Sequence, residues 1–203
     1  MADRSAPNPG FDAIVPAGGS AGRLGGVDKP LLRIGERTLL DGVLAACAGA
    51  RSTVVVGPTR TVSREVTWTR EQPPGAGPAA ALAAGLALCD QPQVIVLAAD
   101  LPFIDASVVH SLWTASTREA VDGAIAVDES GHQQWLTACY QRAALITRFS
   151  DFQPGELVGL SLRRLLGGLR LTQVRTPSRA TFDCDTWGEV AAARSLEGSA
   201  QLE

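Results

Sequence analysis

Apolar residues recur along this 203-residue chain in short continuous runs and in helical spacings, and the two alternate. Phe11-Asp12-Ala13-Ile14-Val15 is a short apolar run that gives way to a glycine-rich stretch, which predicts a buried strand ending near Val15. Ser52–Val56 predicts a second strand, and Val94–Leu97 a third that is apolar at every position, as a strand covered on both faces of a parallel sheet must be. Between them, Leu39, Leu40, Val43, Leu44 and Cys47 fall on one face of a helix over Thr38–Ala48. Residues 79–88 are rich in Ala and Leu and predict a buried helix interrupted only by Gly85. Asp105 is well placed to cap a further helix running to Ser116. The pattern then predicts strands at Gly123–Val127 and Trp135–Tyr140 and helices near Arg142–Phe149 and Leu160–Leu166. Strands at Leu169–Val174 and Thr181–Cys184 follow, and a helix over Thr186–Ser195 closes the chain. Strands separated by helix-length segments imply right-handed crossovers, hence an α/β fold with a doubly wound, mostly parallel sheet. The length favours one domain, placed at 11–196 between tails at 1–10 and 197–203.

Composition narrows the function classes. A formal net charge of −3 gives no global attraction for phosphate backbones or anionic membrane surfaces, so neither nucleic acid nor a membrane is an expected partner. The longest uncharged apolar stretch, Gly75–Cys89, is broken by glycine and proline and is too short to span a bilayer. Residues 1–10 lack an apolar targeting core. Cys47, Cys89, Cys139 and Cys184 lie far apart with no C-x-x-C pairing, so reduced thiols in a cytoplasmic protein are expected. Any phosphate ligand must therefore be held locally. Of the 18 basic residues Lys29 is the sole lysine, and it ends the glycine-rich loop.

That loop, Pro16 to Pro30, holds five glycines together with Arg23 and Lys29. Glycines let backbone N–H groups turn toward an anion, and the two cations add charge for a polyphosphate. Pro30 stands where a P-loop needs Ser or Thr, and no G-x-G-x-x-G occurs, so the cradle is of another kind. Asp100 follows the most apolar strand directly, at the edge of the sheet where such folds bind ligands, and is the leading metal candidate.

The run A-G-G-x-x-x-R-L-G-G-x-D-K over Ala17–Lys29 resembles the signature loop of the nucleotidyltransferase superfamily, and most closely that of molybdenum cofactor guanylyltransferases. The resemblance implies a Rossmann-like sheet of the nucleotide-diphospho-sugar transferase type with a short antiparallel element. It implies that Ala17, Gly18 and Gly19 contact the base and ribose, while Arg23 and Lys29 bind phosphate. Glu71 and Gly77, in Arg70-Glu71-Gln72-Pro73-Pro74-Gly75-Ala76-Gly77-Pro78, are similar to the family's acidic residue and the turn that approaches guanine; Gly77-Pro78 is equally a helix-opening turn. By resemblance Asp100 holds Mg²⁺ bridging the phosphates, with Asp183 as the second metal ligand and Asp185 as a cap of the last helix or a support to the site. Gln134, in a strand similar to the family's G-x-x-Q-P-L-x-A-x-Y, would line the acceptor side, with Trp135 where proline is usual.

The implied reaction is Mg²⁺-dependent transfer of GMP from GTP to the phosphate of molybdopterin, with release of pyrophosphate. An ionised acceptor phosphate attacking the α-phosphorus needs no general base, so positioning and charge neutralisation carry the catalysis. Two other readings stay open at this point. One is the same chemistry with another nucleotide or acceptor, such as cytidylyl transfer to the same cofactor or transfer to a sugar phosphate or phosphoenol acid. The other is a nucleotide-binding regulator without catalysis.

Overall fold

A computed structural model describes residues 10–19 and 24–200 of the chain. Its main sheet has seven strands in the order β5-β4-β1-β6-β8-β7-β9. They are β1 (Phe11–Pro16), β4 (Thr53–Val56), β5 (Thr67–Thr69), β6 (Gln93–Leu97), β7 (Gly123–Val127), β8 (Gln133–Gln141) and β9 (Leu171–Arg175). The neighbours β1, β4, β5 and β6 pair in parallel. Strand β8 runs antiparallel to both β6 and β7, and β9 is parallel to β7, so β8 is the one reversed strand of the sheet. A separate antiparallel hairpin joins β2 (Arg33–Ile34) to β3 (Arg37–Thr38). The doubly wound, mostly parallel architecture expected from the sequence is present.

Alternation along the buried strands explains the layering. Ala13, Val15, Ile95 and Leu97 face one side, where α1 (Leu39–Ala46) and α3 (Ala106–Ser116) cover them. Ile14, Val94 and Val96 face the other, beneath α2 (Pro78–Leu86), α4 (Arg142–Ser150) and α5 (Leu162–Leu166). Both faces are dry, which is why these strands read as continuous apolar runs. Gly85 lets α2 lie close on β1: a Cβ there would stand 2.5 Å from Cγ2 of Ile14. A third, smaller cluster joins Leu24 of the glycine-rich loop, Ile34 and Leu39 to Cys184, Val190 and Ala193 at the C-terminal end.

Helix starts follow their local chemistry. Thr38 accepts from Asp41 N at 3.0 Å, and Asp105 accepts from the N–H groups of Ser107 and Val108 at 2.8 and 3.0 Å. Gly77, at φ 97°, precedes α2 with Pro78 in its first turn, so the Gly-Pro turn does open a helix.

Several sequence expectations need correction. Thr181–Cys184 is not a strand; a 3-10 turn over Ser178–Thr181 leads into an irregular segment that places Cys184 in the third cluster. The edge strand β5 has no counterpart in the predicted elements, whereas the β2–β3 hairpin supplies a short antiparallel element of the kind that the family resemblance implied. The last helix, α6 (Trp187–Ala200), continues past Ser195, and Thr186, rather than Asp185, caps it: Glu189 N donates to Thr186 Oγ1 at 3.3 Å, while Thr186 N donates to Glu189 Oε2 at 2.7 Å. The expected N-terminal tail lies outside the described residues apart from Gly10. Among the described residues no helix is long and apolar enough to cross a membrane, and all four cysteines are buried and unbridged.

Candidate functional site

Strands β4 and β6 flank β1 on opposite sides, so the chain changes winding direction at β1, the place where open α/β sheets form a crevice beyond their carboxyl ends. A cleft of about 700 Å³ opens there. Pro16, Ala17, Gly18 and Gly19 line it after β1, and Ala98, Ala99 and Asp100 line it after β6. Two backbone hydrogen bonds hold these strand exits in place, Ala17 N to Val56 O at 2.8 Å and Ala99 N to Pro16 O at 3.3 Å. The turn before α2 lines it as well, with Glu71, Gly75 and Gly77.

At one end of the cleft the ammonium of Lys29 donates to both Asp100 and Asp185. The Lys29 side chain is 16% exposed. Burial alone would lower its pKa, yet the charge and hydrogen bond of Asp100, and then those of Asp185, outweigh burial and hold it above the ordinary lysine value. The sole lysine is thus a fixed cation facing the cleft. Asp183, expected as the second metal ligand, is not the carboxylate on this ammonium; Asp185 is, and it also lines the cleft. Partial burial, followed by the charges of Asp100, Asp185 and Glu189, pushes Asp183 above the usual carboxylate range, with Lys29 opposing. The loops that carry these carboxylates are clasped by Phe103 and Phe182, whose ring centroids lie 6.2 Å apart.

Among the described residues no group of three His, Cys, Asp or Glu side chains forms a ready-made metal cage. The donor set nevertheless fits Mg²⁺. This ion is usually bound by one or two carboxylates together with substrate phosphates, and three other carboxylates against one ammonium act on Asp183.

The lining around Glu71 has a different character. Glu71 is only 5% exposed, and its Oε1 accepts from Gly75 N at 2.8 Å. Its Oε2 is buried with no partner among the described residues, and the carboxylate lies against Gly18, where a Cβ would stand 3.5 Å from Oε1. A buried carboxylate oxygen left unpaired is costly, and a ligand N–H would relieve that cost.

Of the residues singled out in the sequence, Ala17, Gly18, Gly19, Lys29, Glu71, Gly77 and Asp100 all line this one cleft. Arg23 lies outside the described residues. Gln134, expected on the acceptor side, donates its amide to Asp128 Oδ2 at 3.2 Å in the β7–β8 hairpin. Sequence reasoning overlooked Leu24, Ala81 and Leu136, which also line the cleft. Leu136 lies two residues beyond Gln134 but within the irregular part of β8 opposite Ile125–Ala126, where simple alternation of faces does not hold.

Comparison with known proteins gives a consistent picture. The family model described as MobA-like NTP transferase domain matches residues 13–172. A protein of Bradyrhizobium named molybdenum cofactor guanylyltransferase is 36% identical over 129 residues, a match covering 59% of this chain and 60% of that relative's length. One of the same name from Pseudomonas syringae is 25% identical over 190 residues, covering 87% of this chain and 94% of the relative. The crystal structure of molybdopterin-guanine dinucleotide biosynthesis protein A from Archaeoglobus fulgidus superposes with a TM-score of 0.73 at 18% identity, over 93% of this chain and 99% of that one, and shares its fold. Because the matched span runs from inside β1 into β9 and takes in the loop, the Glu71 turn and Asp100, the chain belongs to the MobA-like NTP transferase domain family.

Proposed function

We propose that this chain is a nucleotidyltransferase that moves GMP from GTP to the phosphate of molybdopterin and releases pyrophosphate. The observation that carries the reading is the Lys29 ammonium held by Asp100 and Asp185 at the carboxyl edge of the sheet, inside a cleft walled by glycine backbone. Family membership and relatives named molybdenum cofactor guanylyltransferase support the choice of reaction and acceptor.

In this reading the base lies between the Ala17–Gly19 backbone and Glu71, and the triphosphate extends toward Lys29. Glu71 accepts hydrogen bonds only, so its unpaired Oε2 suits the adjacent N1–H and 2-amino donors of guanine. Arg23 and Lys29 neutralise the polyphosphate. Asp100 with Asp185 would hold Mg²⁺, which when bound supplies positive charge to the phosphate oxygens. An oxygen of the acceptor phosphate forms a bond to the α-phosphorus while the bond to the β-phosphate oxygen breaks, and pyrophosphate leaves with that electron pair. The acceptor phosphate is ionised at neutral pH, so the chain need hold no proton. Its contribution is alignment and fixed charge.

Pyrophosphate release measured with GTP, ATP, CTP and UTP in the presence of molybdopterin and Mg²⁺ tests the proposal. GTP should be the preferred substrate and turnover should require the acceptor. Preference for CTP, or no release with any nucleotide, would contradict it.

A further inference from the structure

Asp28 stands near the end of the glycine-rich loop, directly before Lys29, and has a partner far away in sequence. Arg60, in the connection between β4 and β5, donates from Nε to Asp28 Oδ1 and Oδ2 at 2.9 and 2.8 Å and from a terminal nitrogen to Oδ1 at 2.7 Å. Its other terminal nitrogen donates to Pro58 O at 3.1 Å, so the guanidinium is itself held by its own loop. The Arg60 side chain is only 8% exposed, whereas most surface arginines are solvated. A planar fork docked at two points on a carboxylate fixes direction as well as distance, which an ammonium could not do.

This contact is placed to matter because of what lies on either side of it. Gly25 and Gly26 precede it with φ of 72° and 79°, and no atom would lie within 4 Å of a Cβ at either. Leu24 and Val27 on either side of the two glycines pack on the third cluster, so the glycines turn the chain between that anchor and the Asp28 contact. Lys29 follows Asp28 directly and starts a 3-10 turn in which Leu31 N donates to Asp28 O at 2.9 Å. The loop carrying Arg60 is also fixed at its other end, because Gly57 packs on the backbone of Ala17 and Gly18: a Cβ at Gly57 would lie 2.9 Å from Ala17 C and O. Residues 57–60 therefore tie the base end of the cleft to its phosphate end.

We propose that Arg60 is a positioning residue, which through its two-point ion pair with Asp28 sets the Lys29 ammonium at the place where the triphosphate binds. The inference rests on the reading of the cleft as a GTP site. It adds a residue that touches neither nucleotide nor metal and acts on the phosphates only through its neighbours.

A double-mutant cycle tests it. Affinities for GTP·Mg²⁺ and for guanosine are measured by calorimetry in the wild type and in Arg60→Ala, Arg60→Lys, Lys29→Ala and the Arg60→Ala/Lys29→Ala double variant. Loss of a well-placed hydrogen bond from the Lys29 ammonium corresponds to about a 10- to 100-fold change in affinity, so Arg60→Ala should weaken GTP by that much and leave guanosine unchanged. In the Lys29→Ala background the same change should do nothing further to GTP. Arg60→Lys should keep the fold and still lose most of the GTP effect, since an ammonium cannot reproduce the fork. Equal losses in both backgrounds, or equal losses for guanosine and GTP, would overturn the clamp while leaving the GTP site standing. Absence of GTP binding by the wild type would overturn the site and the clamp together.

Discussion

Glu71→Gln isolates the recognition of the base. The substitution keeps an oxygen for Gly75 N, now bound at 2.8 Å by Oε1, and converts the unpaired Oε2 into an amide NH₂. Toward guanine, an acceptor of two N–H groups becomes a donor facing donors. Hydrogen bonds to a charged group are worth about 1.5–3 kcal/mol. With about 1.4 kcal/mol per tenfold change in affinity, loss of the contact should weaken GTP by about 10- to 100-fold. The fold should hardly notice. Oε2 has no partner to lose among the described residues, and a buried neutral amide NH₂ left unpaired costs no more than the carboxylate oxygen it replaces. The assay pairs affinity for GTP with affinity for inosine triphosphate, which lacks the 2-amino group. The wild type should prefer GTP, Glu71→Gln should bind the two nearly alike, and the melting temperatures without ligand should agree. An unchanged preference for GTP in Glu71→Gln would refute the assignment of Glu71 to the base.

Three further outcomes follow from the same geometry. GTP with Mg²⁺ at about 100 times its dissociation constant should add about 2.7 kcal/mol of stability to the wild type; Lys29→Ala should lose most of this and Arg118→Ala none, and equal losses would make Lys29 an ordinary surface charge. Gly85→Ala drives a Cβ to within 2.5 Å of Ile14 Cγ2, so overpacking of about 1–3 kcal/mol should exceed the gain of about 1 kcal/mol in helix propensity and lower the urea midpoint; a raised midpoint would show that α2 shifts freely on β1. Asp12 is 1% exposed at the amino end of β1 and accepts from Ser52 N and Oγ and from the N–H groups of Asp90 and Gln91, so Asp12→Ala should cost about 3–5 kcal/mol with turnover per folded molecule unchanged. A variant of full stability would mean these donors find other partners.

The buried parallel strands were legible because burial on both faces leaves only apolar residues to choose from. The capped helix at Asp105 was legible for an equally local reason. What escaped was set by distant partners. Strand β5 is three residues long on a sheet edge and exposes Thr67, so it carries no apolar run. Which of Asp183 and Asp185 meets the Lys29 ammonium shows the same limit. On the expected strand, residues two apart would share a face, and nothing would separate them. In the irregular segment that actually forms, burial of Cys184 against Leu24 and Leu39 turns the chain so that Asp185 reaches Lys29. Thr186 and Glu189 make the helix cap between themselves, which leaves Asp185 to the cleft. Glu71 could be named by the family resemblance of the segment before the Gly-Pro turn, but the unpaired state of its buried oxygen could not. Arg60 had no local signal at all, since its partner lies on another loop.

The central claim is that this cleft transfers a nucleotidyl group, and the fate of the α-phosphate tests it most directly. GTP labelled at the α-phosphorus is incubated with molybdopterin, Mg²⁺ and either the wild type or Asp100→Asn, a change that keeps the side chain's size but removes the charge paired with Lys29. The account predicts label in the acceptor and unlabelled pyrophosphate with the wild type, and nearly complete loss of labelled product in a folded Asp100→Asn. Label remaining wholly in GTP with the wild type, or undiminished transfer by Asp100→Asn, would contradict it.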